Sequence, residues 1–263
     1  MTTVPIDLLT REWREAGLGT NDIVLIHSSV KRTLRRYLKA GHRLDTADIL
    51  QSFLQAVGPG GTVLFPLFNF DFTTGVPFDI RTTPSRMGAL SEAARLHPGA
   101  VRTGHPIYSF AVIGAEARRF DGVENFSGYG PDSPFAMLRA LDGKIAVLGL
   151  PDQHSMTFYH HVEEAHEVPY RYHKTFTADY TGRDGGSAPR TFGLFVRDIE
   201  KGVMTAVDPM GERLWADGLY AGHRPDAESG LRVIGARVLF DAVGAVIQAG
   251  AAQGLLYRIE PGR

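Results

Sequence analysis

The chain of 263 residues contains no cysteine. That absence excludes disulfides, thiolate zinc sites, iron–sulfur clusters and a cysteine nucleophile. A covalent nucleophile would have to be Ser, Thr, Lys or a carboxylate. An excess of either charge is also missing: 28 Lys and Arg stand against 29 Asp and Glu, a formal net charge of -1. A globally basic nucleic-acid binder and an acidic solvating chain are therefore excluded. Long hydrophobic runs are lacking too. The uncharged stretch from Ala242 to Tyr257 is too short to span a bilayer and carries Gln248, Gln253 and three glycines. Met1 to Gly17 mixes Asp7, Glu12 and Glu15 with Arg11 and Arg14, and has neither the apolar core nor the small-residue cleavage site of a signal peptide. A soluble cytoplasmic protein is expected, with no membrane or nucleic-acid partner and with homo-oligomerisation left open.

What is present is ordinary globular material, with 43% hydrophobic and 22% charged residues. The length allows one large domain or two small ones. Helical and strand patterns alternate over the first 165 residues or so. Pro5 to Gly17 reads as helix, Asp22 to His27 as a short apolar strand, and Asp45 or Thr46 as the cap of a helix ended by Gly58-Pro59-Gly60-Gly61. Thr62 to Phe68, Tyr108 to Ile113 and Lys144 to Leu150 read as strands. A helix is expected from Ser85 to Arg95, and another after the Ser133-Pro134 cap. Beyond Pro169, Tyr170 to Tyr180 and Pro189 to Val196 form a hairpin around the Gly182 to Gly186 tip. Leu231 to Phe240 reads as a strand running into a helix from about Asp241. The expectation is a layered α/β unit with an antiparallel excursion, one intertwined domain over residues 1–263.

Chemistry gathers first at Thr157 to Glu164. On a helix His160 and Glu163 are three apart and share a face. A carboxylate beside an imidazole fixes its tautomer and raises its basicity, which suits a general base near neutral pH. The same spacing also occurs on solvated helices. A metal site from His154, His160, His161, Glu164 and His166 is a third reading, although the H-E-x-x-H order is absent. The turn His27-Ser28-Ser29-Val30 closes a buried strand, where open α/β sheets bind ligands, and small serines leave backbone N–H groups open to an anion. No G-x-S-x-G elbow exists to make a serine nucleophile. Lys31 to Arg43 holds six basic residues and no acidic one; it reads either as an anion-binding patch or as a solvated helix. Ser109 lies just after His105-Pro106 at a strand entrance.

Six blocks in order resemble the aminoglycoside 3-N-acetyltransferase family: Leu25 to Ser29, Ser85 to Glu92, His105 to Ala111, Asp132 to Phe135, Gly143 to Gly149, and Thr157 to Glu163. The resemblance implies a three-layer α/β/α antibiotic N-acetyltransferase-like fold and acetyl transfer from acetyl-CoA, as cosubstrate, to a primary amine, with no metal. It makes His160 and Glu163 the catalytic base and its orienting carboxylate. It gives CoA contacts to His27, Ser28, Ser29 and Val30, with Ser109 and Thr157 as lesser candidates, and acceptor contacts to Asn69, Asp71 and Glu164. The stretches Asn69 to Asp79 and Val168 to Tyr172 resemble a branch linked to surface-polysaccharide or natural-product pathways. An amino sugar or other small amine is thus the expected acceptor, with an aminoglycoside antibiotic as the alternative. A metal-dependent hydrolase or a non-catalytic binding protein are the readings from other classes.

Overall fold

The computed structural model describes residues 5–260; the ends of the domain expected over 1–263 lie outside the described residues. Helix α1 (Pro5–Glu15) buries Leu9, Thr10 and Trp13. Trp13 stacks on Phe53 with centroids 4.8 Å apart and donates its indole N–H to Ser52 at 2.8 Å, so the ring is buried with its one polar atom satisfied. Strand β1 (Ile23–Ser28) follows, then α2 (Lys31–Lys39) and α3 (Thr46–Val57). Asp45 caps α3 through a reciprocal box: each of Asp45 and Asp48 accepts from the other's backbone N–H, which satisfies two otherwise orphaned donors. Strands β2 (Thr62–Pro66) and β3 (Phe78–Asp79) come next. Helix α4 (Ala89–Arg95) starts later than the expected Ser85, because Gly88 holds a φ of 100° that a helix cannot contain. Strands β4 (Val101–Arg102) and β5 (Phe110–Gly114), helices α5 (Ala117–Phe120) and α6 (Pro134–Ala140), strand β6 (Lys144–Leu148) and helix α7 (Phe158–Ala165) complete the first two thirds. Ser133 caps α6 with Pro134 in its first turn, as its sequence indicates.

The last third contains β7 (Arg171–Thr181), β8 (Ser187–Arg197), β9 (Val203–Thr205), α8 (Asp208–Ala216), β10 (Ala221–Gly222), β11 (Leu231–Gly235), α9 (Ala236–Gln248) and β12 (Tyr257–Ile259). The strand expected to reach Phe240 stops at Gly235, and the helix begins at Ala236 rather than near Asp241. A continuous apolar run suits either period, so the sequence does not locate the change.

Seven strands form the main sheet in the order β10-β11-β6-β1-β2-β5-β4. Neighbours in the β6-β1-β2 centre pair in parallel, and every pairing outside it is antiparallel. Strand residues one apart go to opposite faces. Val24, Ile26, Val63, Phe65, Ala146 and Leu148 pack with Leu9, Ile49, Phe53 and Leu90 of α1, α3 and α4. Leu25, Leu64, Ile145 and Val147 pack with Phe135, Phe158, Val162 and Leu239 of α6, α7 and α9. The result is a three-layer α/β/α fold, each fully buried Leu or Phe contributing roughly 1.5–3 kcal/mol. The antiparallel excursion is the β7–β8 hairpin, in unbroken register from Arg171↔Arg197 to Thr181↔Ser187, with β3 along its outer end.

Candidate active site

Helix α7 presents two faces. Phe158, Tyr159 and Val162 are buried against the sheet layer, which turns His160 and Glu163 toward the root of the β7–β8 hairpin. The start of the helix is pinned by Asp152, whose carboxylate accepts from Tyr159 Oη at 2.6 Å, Tyr220 Oη at 2.8 Å and Arg232 Nη2 at 2.6 Å. Asp152 and Arg232 are both buried, so a charged pair fixes where the helix begins.

His160 Nδ1 stands 2.6 Å from Glu163 Oε2. Glu163 is 1% exposed and would be costly to bury as a lone charge. Its counter-ion is Arg171, the first residue of β7, whose Nε lies 2.7 Å from the same Oε2, off the angle of a hydrogen bond. Arg171 Nη1 donates to the Phe195 carbonyl at 2.9 Å, and Nη2 approaches His160 Nδ1 at 2.8 Å. Burial, and next the Arg171 charge, hold the His160 imidazole below the usual histidine range, against the pull of Glu163. For Glu163, burial opposes ionisation, but Arg171 and the His160 hydrogen bond outweigh it and hold the carboxyl below its usual range.

His160 and Arg171 line a cleft of about 400 Å³ together with Tyr108, Tyr129, Lys174 and Arg197. The Tyr129 ring meets the imidazole edge-on at 5.3 Å, and its carbonyl lies 2.7 Å from His161 Nδ1. Tyr129 also borders a second cavity of about 410 Å³, which holds Glu164, Glu167, His161 and Arg139. One cavity is thus lined by cations and the other partly by carboxylates. Burial keeps Tyr108 and Tyr129 protonated by pushing both phenols up.

The other residues singled out in the sequence scatter. His27 is buried and neutral, its imidazole lowered to about 3 chiefly by burial. The Ser29 N–H, expected to be open to an anion, donates to the Leu148 carbonyl at 2.7 Å, because the turn continues the β1–β6 ladder. Ser28 and Val30 flank it, half-buried, and Thr157 sits half-buried at the N-cap of α7. Ser109 is fully buried just before β5, and its hydroxyl accepts from Arg102 Nε and Nη2 at 3.2 and 3.1 Å. Asn69 closes a turn onto the Asp71 N–H and donates to the Pro84 carbonyl, and Asp71 pairs with Arg86 at 2.8 Å; neither lines the His160 cleft. Glu164 accepts from Ser127 Oγ at 2.8 Å in the second cavity, where burial pushes its carboxyl up. Among the described residues no three His, Asp or Glu side chains gather closely enough to share a metal ion. Of the basic segment, Lys31 to Lys39 form α2 while Arg43 lies beyond it, and Arg36 pairs with Glu12 of α1. Arg171 and Tyr129 join the site although no motif of the sequence marks them. The one signal for Arg171 in the sequence is a lone arginine at the start of an aromatic-rich strand shortly after the His-Glu pair.

A carboxylate-paired imidazole thus stands at the edge of a cleft, carried by a helix of a three-layer α/β/α fold. The chain belongs to the aminoglycoside 3-N-acetyltransferase family, whose model matches residues 25–246. It is 28% identical over 184 residues to aminoglycoside N(3)-acetyltransferase VII of Streptomyces paromomycinus, covering 61% of this chain and 60% of that protein. The chain therefore spans about three fifths of the length of the curated relatives it matches. Among solved structures it is similar to the binary complex of AAC-IIIb with CoASH, at a TM-score of 0.79 and 23% identity over 94% of this chain and 97% of that one. It is also similar to aminoglycoside acetyltransferase AAC(3)-Xa, at 0.76 and 27% identity over 93% of each. No helix among the described residues is long and apolar enough to cross a membrane.

Proposed function

We propose that the chain, acting as one domain, transfers the acetyl group of acetyl-CoA to an amine of an aminoglycoside. The observation that carries this reading is the His160–Glu163 pair, set at a cleft in a chain that the family model matches over most of its length. The relatives are named for aminoglycosides, which favours the antibiotic over the small amino sugar first expected.

The acceptor nitrogen attacks the thioester carbonyl carbon, its proton passes to His160 Nε2, and the carbon–sulfur bond breaks. The thiolate of CoA then takes that proton, leaving an amide and the free thiol. An ammonium has no lone pair, so the acceptor first releases one proton to solvent; the proton that the attacking amine then loses goes to His160, and such a base contributes roughly 10²–10⁴-fold. Glu163 balances the imidazolium while it exists. Tyr108 and Tyr129 line the cleft as protonated hydroxyls, donors available to the developing oxyanion. Lys174 and Arg197 supply positive charge for an anionic cosubstrate. Glu164 and Glu167, beyond Tyr129, supply negative charge for further ammonium groups of a polycation.

One observation favours a second acceptor: the cleft around His160 itself has cations and no carboxylate in its lining, which suits a neutral or anionic amino sugar. A thioester-cleavage assay with acetyl-CoA separates the two, run against 2-deoxystreptamine antibiotics and nucleotide-linked amino sugars. Faster turnover of an antibiotic supports the first reading and faster turnover of an amino sugar the second. Turnover of no amine in either set refutes the function.

A further inference from the structure

Arg171 touches both members of the His160–Glu163 pair, and the way it does so bears on the proton that His160 must accept. Its Nη2 is 2.8 Å from His160 Nδ1 and 3.5 Å from Nε2. A donor on the Nδ1 lone-pair axis would stand nearly the ring's width farther from Nε2 than from Nδ1. The small difference puts the guanidinium nitrogen off that axis, beside the ring. The axis itself points to Glu163 Oε2 at 2.6 Å. An ionised carboxylate only accepts and an arginine only donates, so the proton between His160 and Glu163 sits on Nδ1, and in the neutral ring Nε2 then keeps its lone pair.

We propose that Arg171 is a positioning residue that holds His160 neutral, protonated on Nδ1, so that Nε2 is free to take the acceptor's proton. This rests on the acetyl-transfer reading above. With Arg171 charged, Glu163 ionised and His160 neutral, the cluster has no net charge, and a further proton makes it positive with two of its three members buried. Without the guanidinium, the His160–Glu163 pair alone is negative, and one proton brings it to zero. Loss of Arg171 therefore draws a proton onto the pair and removes the base. The remaining groups facing His160 do not reverse this. Arg197 on β8 opposes protonation as Arg171 does, Lys174 adds positive charge to the same cleft, Tyr108 and Tyr129 stay neutral, and Glu164 turns away to Ser127. The Phe195 carbonyl accepts from Nη1 at 2.9 Å, which anchors the guanidinium beside the pair. Arginine suits the post because one planar fork reaches a carboxylate, a carbonyl and an imidazole at once.

The test is the pH dependence of kcat/KM for wild type, Arg171→Met and Arg171→Lys. The acid limb should rise by about one pH unit or more in Arg171→Met, each unit being a tenfold change in protonation. It should stay near the wild-type position in Arg171→Lys, whatever happens to the absolute rate. A residue that only braces the fold would scale the rate and leave the limb in place, and an unmoved limb in Arg171→Met overturns the proposal. Nitrogen-15 histidine spectra of the unaltered protein, with His160 assigned by its loss in His160→Gln, give a second reading that needs no variant at Arg171 to fold. A neutral ring protonated on Nδ1 at pH 7 is expected; an imidazolium or a ring protonated on Nε2 overturns the assignment. Those spectra involve no turnover. Failure to find an acceptor would sink the acetyl-transfer reading without altering them.

Discussion

Replacing Asp152 by alanine should remove a large share of the protein's stability without touching the catalytic pair. Three donors converge on that carboxylate: Arg232 on one oxygen, Tyr159 and Tyr220 on the other. Arg232 is 1% exposed, and leaving a buried charge without its partner costs about 3–5 kcal/mol. Arg232 would still donate to the Leu150 carbonyl at 2.5 Å and to Ser155 Oγ at 3.4 Å, which argues for the lower part of that range. The two stranded tyrosine hydroxyls would each cost about 1–3 kcal/mol if left dry. Water entering the vacated volume serves both, so those penalties overlap. A net loss of about 4 kcal/mol is expected, out of the 5–15 kcal/mol that a domain typically has. Urea unfolding followed by circular dichroism reads this directly as a lower midpoint at unchanged slope. Asp152→Asn, which keeps the shape and one acceptor oxygen, should fall between wild type and Asp152→Ala. A loss below about 1 kcal/mol in Asp152→Ala would mean that Arg232 finds equivalent partners, and that the network is not what fixes the start of α7.

His160→Ala should lower kcat by roughly 10²–10⁴-fold while acetyl-CoA still binds; a wild-type kcat with the best acceptor refutes the assignment. Glu163→Gln should also lose rate, since an amide cannot balance an imidazolium, and equal rates would remove Glu163 from the mechanism. Charge reversal at Lys174 and Arg197, which face the cleft, should raise the KM for acetyl-CoA and weaken its dependence on salt; an unchanged KM at low salt counts against a role in cosubstrate binding. His27, His105 and His161 are held neutral by burial, lowered to about 3, 4 and 4, while the unfolded chain titrates near 6.5. The unfolded state therefore binds more protons as the pH falls below about 6.5, so stability present above that pH should be lost steadily toward pH 4. A urea midpoint that stays flat from pH 6.5 to 4.5 would contradict the buried, neutral state of these rings.

Local rules made the His160–Glu163 pair readable, because residues three apart on a helix must share a face. The cap of α3 is readable to within one residue, Asp45 or Thr46, and that of α6 at Ser133-Pro134, because capping too is set by local sequence. Contacts that depend on a chain reversal are not readable. Arg171 reaches Glu163 only after the turn into β7, and nothing in residues 166–170 states how that turn folds. The Arg102 contact to Ser109 is not legible in the sequence, because it forms only when β4 pairs back on β5. The basic segment looked unbalanced because Glu12, its partner at Arg36, comes from an earlier helix. The strand-to-helix change at Gly235 was hidden in a run that is apolar in either period.

The hairpin has a consequence for anyone recombining this protein with its relatives. Arg171 is at once the first residue of β7 and the counter-ion of Glu163, so the docking of a surface-reaching structural arm and the electrical neutrality of a buried carboxylate are one event. A chimera that takes its hairpin from another parent inherits whatever stands at that first position. If the donor segment brings a neutral residue there, the recipient's His160–Glu163 pair takes up a proton, and the graft will look like a dead enzyme although every strand contact is correct. The natural crossover point therefore lies before helix α7 rather than between the helix and the hairpin, so that the carboxylate and the guanidinium travel together.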